Sequence, residues 1–379
     1  RKKGENIMKS YSMGVLVLLV QVSEARPRPR RRRLESFRSC NTTKTYVASA
    51  WELDWREHID EWASNWEFDG PACTRMRLQK EYIDVWLALH AKRNVTGPEA
   101  PLPKFHHKVI GFHQIKSDCE KAKKHVPIEP LVGFLRHPLH HCFTMATSSL
   151  VVQPYRVAKE YMFPPFRDEV VPPPRQRRDV LAFYFDLGAS TYRAGAGGAS
   201  MSWFVEEYAQ RGIVFDRILA WEAHPQNTST LFADFDAFPL ERLSYFNTLA
   251  DPTEHSKMNP LTMLRDLATP DDFVVLKIDI DHNPAENAFV REIIQDASLS
   301  DRIDELYWEN HVKRNPMESQ GWQHTPGLFD VDEDPPSFAA TASLDLEHRR
   351  PVRSANDITH SYELFHALRE RGIRAHSWV

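Results

Sequence analysis

A chain of 379 residues, 42% hydrophobic and 26% charged, has the length and apolar content for one large or two small packed domains, which excludes a disordered or fibrous protein. Lys and Arg number 48 against 52 Asp and Glu, a formal charge of −4, so no broad cationic surface exists and nucleic-acid binding is not expected. No apolar run reaches the ~18 to 20 residues that a membrane-crossing helix needs.

Residues 1–33 read as a signal-like segment followed by an Arg-rich tract. Met8 is the natural start, Lys9 a small basic region and Met13 to Val22 an apolar stretch; Ser23-Glu24-Ala25 is small at the two positions a signal peptidase reads. Arg26, Arg28 and Arg30 to Arg33 oppose this, because positive charge just beyond an apolar segment favours the cytoplasmic side. Cys40, Cys73, Cys119 and Cys142, with Asn-x-Ser/Thr acceptors at Asn41, Asn94 and Asn227, fit an oxidising lumen with disulfides and glycosylation. The expected location is therefore the secretory pathway, with a cytoplasmic protein as the alternative.

Residues 34–160 read as a mostly helical region. Trp51, Trp55, Ile59, Trp62 and Trp66 recur at the helical period as an aromatic stripe, expected to be core, and a second helix is predicted through Leu78, Tyr82, Ile83, Trp86 and Leu89. His137, His140, His141 and Cys142 crowd one segment, but their spacing suits no zinc motif and points to loop packing. The Pro-rich stretch 161–179 reads as a stiff connector.

From residue 180 the pattern becomes strand, turn, helix. Val180 to Leu187 is an apolar strand ending in Asp186 and Gly188, followed by a helix from about Ser200 to Gly212. Arg217 to Trp221 is a second strand, closed by Glu222. Leu243 to Leu249 reads as a third, with Asp251 a guess for an adenine contact. Asp272 to Asp281 is a buried-type strand ending in Asp279 and Asp281, with a helix from Ala285 to Asp296; Asp304 to Trp308 follows, ending in Glu309-Asn310-His311. Residues 313–351 read as a loop or lid, Ser361 to Arg371 as a helix and Gly372 to Val379 as a closing strand.

A glycine turn after the first strand and an acid ending the second form a nucleoside-cofactor signature, since ligands of doubly wound sheets bind beyond the carboxyl ends of the strands. Gly195-Ala196-Gly197-Gly198-Ala199-Ser200 nearly fits the dinucleotide fingerprint, which keeps NAD as an alternative. The first tight turn, however, lies at Gly188 with an acid before it, which suits S-adenosylmethionine better.

The order FDLGAS, LAWEAHP, FVVLKIDID, LYWENH resembles the class I S-adenosylmethionine-dependent methyltransferases, most closely the FkbM-like branch, over about residues 180 to 379. That resemblance implies an α/β fold with a Rossmann-like, seven-stranded, mostly parallel sheet, here with an amino-terminal helical addition. It implies Asp186 and Gly188 as the first cofactor motif and Glu222 as the ribose acid; Asp279 joins them as a cofactor residue. Asp281-His282-Asn283-Pro284 replaces the usual acid-glycine. His282, His311 and Asp281 are the catalytic candidates, because an ordinary imidazole titrates nearest neutrality. Asp281, Glu309 and Asn310 also resemble the oxygen ligands of catechol-type enzymes and would suit Mg²⁺ or Ca²⁺, against a helix-capping role for Asp281. The expected reaction is O-methylation of a small-molecule or glycan hydroxyl, with a non-catalytic binding protein as a further alternative.

Overall fold

Short segments rich in β-branched and aromatic residues, apolar without alternation, are strands covered on both faces, and in this chain they pair side by side. The computed structural model describes residues 42–62, 69–78, 80–81, 106–117, 124–131, 162, 180–193, 201–233, 237–312 and 358–378. From residue 42 the described elements take the order β1 Thr42–Val47, α1 Ala50–Trp62, α2 Pro71–Leu78, α3 His106–Val109, β2 Gly111–Ser117 and β3 Lys124–Ile128. There follow β4 Ala182–Leu187, α4 Met201–Gln210, β5 Arg217–Trp221, α5 Thr228–Leu231, α6 Ala237–Leu240, β6 Leu243–Phe246 and α7 Pro260–Leu267. The chain continues through β7 Phe273–Ile278, α8 Asn283–Gln295, α9 Ala297–Ser300, β8 Glu305–Trp308, α10 Ile358–Glu370 and β9 Arg374–Ser377.

The main sheet is six-stranded in the order β6-β5-β4-β7-β8-β9, and each neighbouring pair is parallel. This is the doubly wound order in which the chain starts at a central strand, builds outward on one side and returns to build on the other. The expected sheet was seven-stranded; among the described residues it has six strands. The closing segment follows α10 as a parallel strand, because a helical crossover returns the chain in the same direction.

Each face of the sheet has its own core. Phe183, Phe185, Leu187, Leu276 and Trp308 pack with Phe289 and Ile293 of α8 and Phe365 and Leu368 of α10. Tyr184, Ala220, Val275 and Tyr307 pack with Phe204 and Tyr208 of α4. Helix α7 starts on Asn259, whose Oδ1 accepts from Leu261 N at 2.7 Å, with Pro260 in its first turn.

The described residues of the amino-terminal region include strands as well as helices. Alongside α1 they form a three-stranded antiparallel sheet, β1-β2-β3, with Tyr46 opposite His113 and His113 opposite Val126. In α1 the stripe is core: Trp51, Trp55, Ile59 and Trp62 are buried, and Ile59 joins the α8–α10 side of the main core; Trp66 lies outside the described residues. Helix α2, Pro71–Leu78, buries Ala72, Cys73 and Met76 and leaves Leu78 72% exposed, whereas Tyr82, Ile83, Trp86 and Leu89 of the predicted second helix lie outside the described residues. Cys73 is disulfide-bonded; the other three cysteines lie outside the described residues, as do Asn41, Asn94, the His137–Cys142 segment, residues 313–351 and, but for Met162, the connector 161–179. No helix among the described residues is long and apolar enough to cross a membrane.

Candidate active site

Register places one row of side chains across the whole sheet. Asp186 on β4 pairs with Ala220 on β5 and Lys277 on β7; Ala220 pairs with Tyr245 on β6, Lys277 with Tyr307 on β8, and Tyr307 with His376 on β9. Residues aligned in a row share a face. Glu222, Asp279 and Glu309 lie two residues further along β5, β7 and β8, and so extend that face beyond the carboxyl ends, at the point where strand order reverses between β4 and β7.

The turn after β4 is built on Gly188. Its φ is +83°, and a Cβ there would sit 1.6 Å from the Asp279 carbonyl oxygen, so only glycine allows β4 and β7 to close at this point. Gly188 N and Ala189 N both donate to Trp221 O, at 3.0 and 2.9 Å. Ser190, at φ +47°, turns its N–H onto Glu222 Oε2 at 3.0 Å, and His224 N donates to Glu222 Oε1 at 2.7 Å. The Glu222 carboxylate is therefore fixed by two backbone donors. Asn247 braces the same corner by donating to the carbonyls of Glu222 and His224, each at 2.7 Å.

Asp186 is placed differently from expectation. It is 1% exposed, accepts from Tyr184 Oη at 2.9 Å and faces Lys277 Nζ at 3.3 Å, and so stands as a buried counter-charge. Burial lifts its carboxyl above the ordinary value against the pull of Lys277 and Tyr184. Lys277 Nζ also meets Asp279 Oδ2 at 2.9 Å and the Gly188 carbonyl at 3.3 Å. Burial alone would strip its proton, but Asp186 and Asp279 outweigh that and hold the ammonium charged above its usual range. Asp279 further accepts from Trp378 Nε1 at 3.1 Å. Tyr245 Oη donates to Ser190 O at 2.9 Å; burial, then the charges of Glu222 and Asp186, raise its phenol, so it stays a donor.

The acceptor-side candidates separate. Asp281, at φ +54° with an 81% exposed side chain, has Oδ1 3.5 Å from His311 Nε2, and Glu309 Oε2 is 3.6 Å from the same nitrogen. Burial, then the Asp279 carboxyl beside it, push Glu309 well above the ordinary carboxylate range. His282 is not in this group: its Nδ1 accepts the Ala285 N–H at 3.2 Å as the N-cap of α8, a role expected of Asp281. The N-cap of α8 falls one residue beyond Asp281, so the His282 ring does the capping. Asn310 also turns away, because successive residues alternate faces; its Nδ2 donates to Ser361 Oγ on α10 at 2.8 Å. Asp251 Oδ1 accepts from Thr253 N at 2.9 Å and shapes the turn after β6.

Sequence reading missed Tyr245, Asn247, Lys277 and Trp378. A signal existed for Lys277, a charge inside the apolar run FVVLKI, since lysine is almost never buried without a partner. Compared with known proteins, the chain matches no protein-family model, no curated protein and no solved structure.

Proposed function

We propose that the chain is an S-adenosylmethionine-dependent O-methyltransferase of the FkbM-like class I type, acting on a hydroxyl of a small molecule or a glycan. The observation that carries this reading is the charge of the carboxyl edge at the switch point. The carboxyl groups of Glu222, Asp279, Asp281 and Glu309 face it, with the Lys277 ammonium paired to Asp279 and the His311 ring between Asp281 and Glu309. Such an edge repels a pyrophosphate and favours a ligand bearing ammonium and sulfonium groups. When bound, S-adenosylmethionine supplies a methyl carbon already activated by its sulfonium.

The chain's own residues then bind, orient and take a proton. Two of the four acceptor positions of the Glu222 carboxylate are used by Ser190 N and His224 N, which leaves it preoriented to accept two ribose hydroxyls. Asn247 and Tyr245 hold that corner rigid. Lys277 ties Asp186, Asp279 and the Gly188 carbonyl together under the turn, so the backbone that meets the cofactor does not move. The acceptor hydroxyl's proton passes to the Asp281–Glu309–His311 group. A placed base is worth about 10²- to 10⁴-fold. Asp186 and His282 serve the fold in this reading.

An exposed Asn227 in an Asn-Thr-Ser sequence and the disulfide at Cys73 favour an oxidising lumen, where glycan hydroxyls are abundant. A second reading has its own support: the six-strand order is that of dinucleotide folds, which keeps NAD in view.

Calorimetry with S-adenosylmethionine and with NAD decides between them. The expected result is heat with S-adenosylmethionine only, weakened about tenfold or more in Glu222→Gln. Binding of NAD alone, or of neither, overturns the assignment. A mass gain of one methylene on an oligosaccharide or metabolite pool then identifies the acceptor.

A further inference from the structure

We propose that Asp281, Glu309 and His311 form a binding site for a divalent cation of the zinc class. Their ligand atoms all lie within 4.8 Å of one another. His311 Nε2 stands 3.5 Å from Asp281 Oδ1 and 3.6 Å from Glu309 Oε2. Bonds of about 2.1 Å arranged as a tetrahedron put neighbouring ligand atoms about 3.4 Å apart, close to both spacings. An octahedral ion with bonds of about 2.1 Å would want about 3.0 Å, and magnesium prefers oxygen to an imidazole nitrogen.

An independent observation lies at Glu309. This side chain is 3% exposed, and its Oε1 is buried with no hydrogen-bond partner. A buried carboxylate oxygen with no donor is costly until a cation satisfies it.

The surroundings suit a working site. Burial grades from Glu309 inside, through half-buried His311, to exposed Asp281, so three protein ligands leave a fourth position open on the solvent side. Asn283, itself buried, donates to the His311 carbonyl and holds the backbone that carries the ring. Asn310 is not in this cluster: it lies between Glu309 and His311 in sequence and so points to the opposite face, where its Nδ2 donates to Ser361 Oγ. An ion with an open position lowers the pKa of a hydroxyl bound there. That deepens the methyl-transfer reading by giving the acceptor alcohol a landing point, with His311 then a ligand in place of a base; ion binding itself needs only the three side chains.

The test uses the full chain stripped with EDTA and titrated with Co²⁺, whose tetrahedral complexes absorb strongly in the visible. A saturating visible band is expected. Asp281→Asn, Glu309→Gln and His311→Ala should abolish it or weaken binding by at least about tenfold. Asn310→Ala and His140→Ala, the latter from the separate His-rich segment, should keep it. Asp281 is on the surface and asparagine tolerates a left-handed backbone, so Asp281→Asn stays informative if the buried replacements unfold. Absence of the band in the unaltered chain, or its persistence in Asp281→Asn and His311→Ala, overturns the site. Calorimetry with S-adenosylmethionine on the same preparations reports separately: cofactor heat without the band removes only the cation, and the band without cofactor heat removes only the methyltransferase reading.

Discussion

Lys277 Nζ lies 2.9 Å from Asp279 Oδ2, on a side chain that is 5% exposed in the middle of the main sheet. The same ammonium faces Asp186 at 3.3 Å, so one cation balances two acids from different strands. Removing one partner of a buried pair leaves an uncompensated charge, which costs about 3–5 kcal/mol. Lys277→Met should therefore lower the urea unfolding free energy by about that much, and adding Asp186→Asn should recover part of it. A Lys277→Met protein as stable as the parent would show that this triad does not hold the turn.

Gly188→Ala should be more damaging than its size implies. The added Cβ would fall 1.6 Å from the Asp279 carbonyl oxygen at a backbone φ of +83°. Strand β4 would have to part from β7 at the switch point. A loss of more than about 4 kcal/mol, or failure to fold, is the expected outcome in a thermal melt. An unchanged melting temperature would mean that this turn is not closed in solution.

Arg369 joins the antiparallel sheet to the parallel one. Its side chain is fully buried; it donates to Ala375 O at 3.0 and 2.8 Å, Glu129 O at 2.7 Å, Glu129 Oε1 at 3.0 Å and Tyr46 Oη at 3.1 Å. His376 bridges Glu129, at 2.9 Å, and Glu305, at 2.8 Å, beside it. Arg369→Met should cost about 3–5 kcal/mol and expose residues 111–128 to limited proteolysis. Arg369→Lys should not rescue, because a point charge cannot reproduce the planar fork. Equal protease resistance in the variant would rule out this role.

Glu286 sets a pH dependence. It is fully buried under the sheet edge, accepting from Ile280 N at 3.0 Å and Trp308 Nε1 at 3.1 Å, and burial pushes its carboxyl from 4.5 up to about 7. The folded chain thus keeps this proton longer than the unfolded one. Its contribution is fully present below about pH 4.5 and is lost as pH rises to about 7, by roughly 3 kcal/mol. Measured against Glu286→Gln, which cannot titrate, the parent's stability should fall across that window and level off above it. A flat difference would exclude Glu286 as the titrating group.

Much of the carboxy-terminal half is legible because its signals are local. The strand at Arg217 to Trp221 has the predicted bounds, and those at Val180, Asp272 and Asp304 lie within the predicted ones. The amino-terminal strands escaped notice: in Gly111–Ser117 and Lys124–Ile128 His, Gln and Lys dilute the apolar alternation, and the β-branched run Thr42–Val47 went unread.

By itself the sequence determined the alternation of strand and helix, the glycine turn and the acids at the strand ends, since each depends on residues a few positions apart. Only the tertiary structure decided what those acids do. Asp186 and Lys277 are 91 residues apart in the chain, and it is strand register that pairs them and buries Asp186. Likewise His282 turned to a helix cap and His311 to Asp281 and Glu309, because a one-residue change in where a strand ends or a helix begins reverses the direction of a side chain.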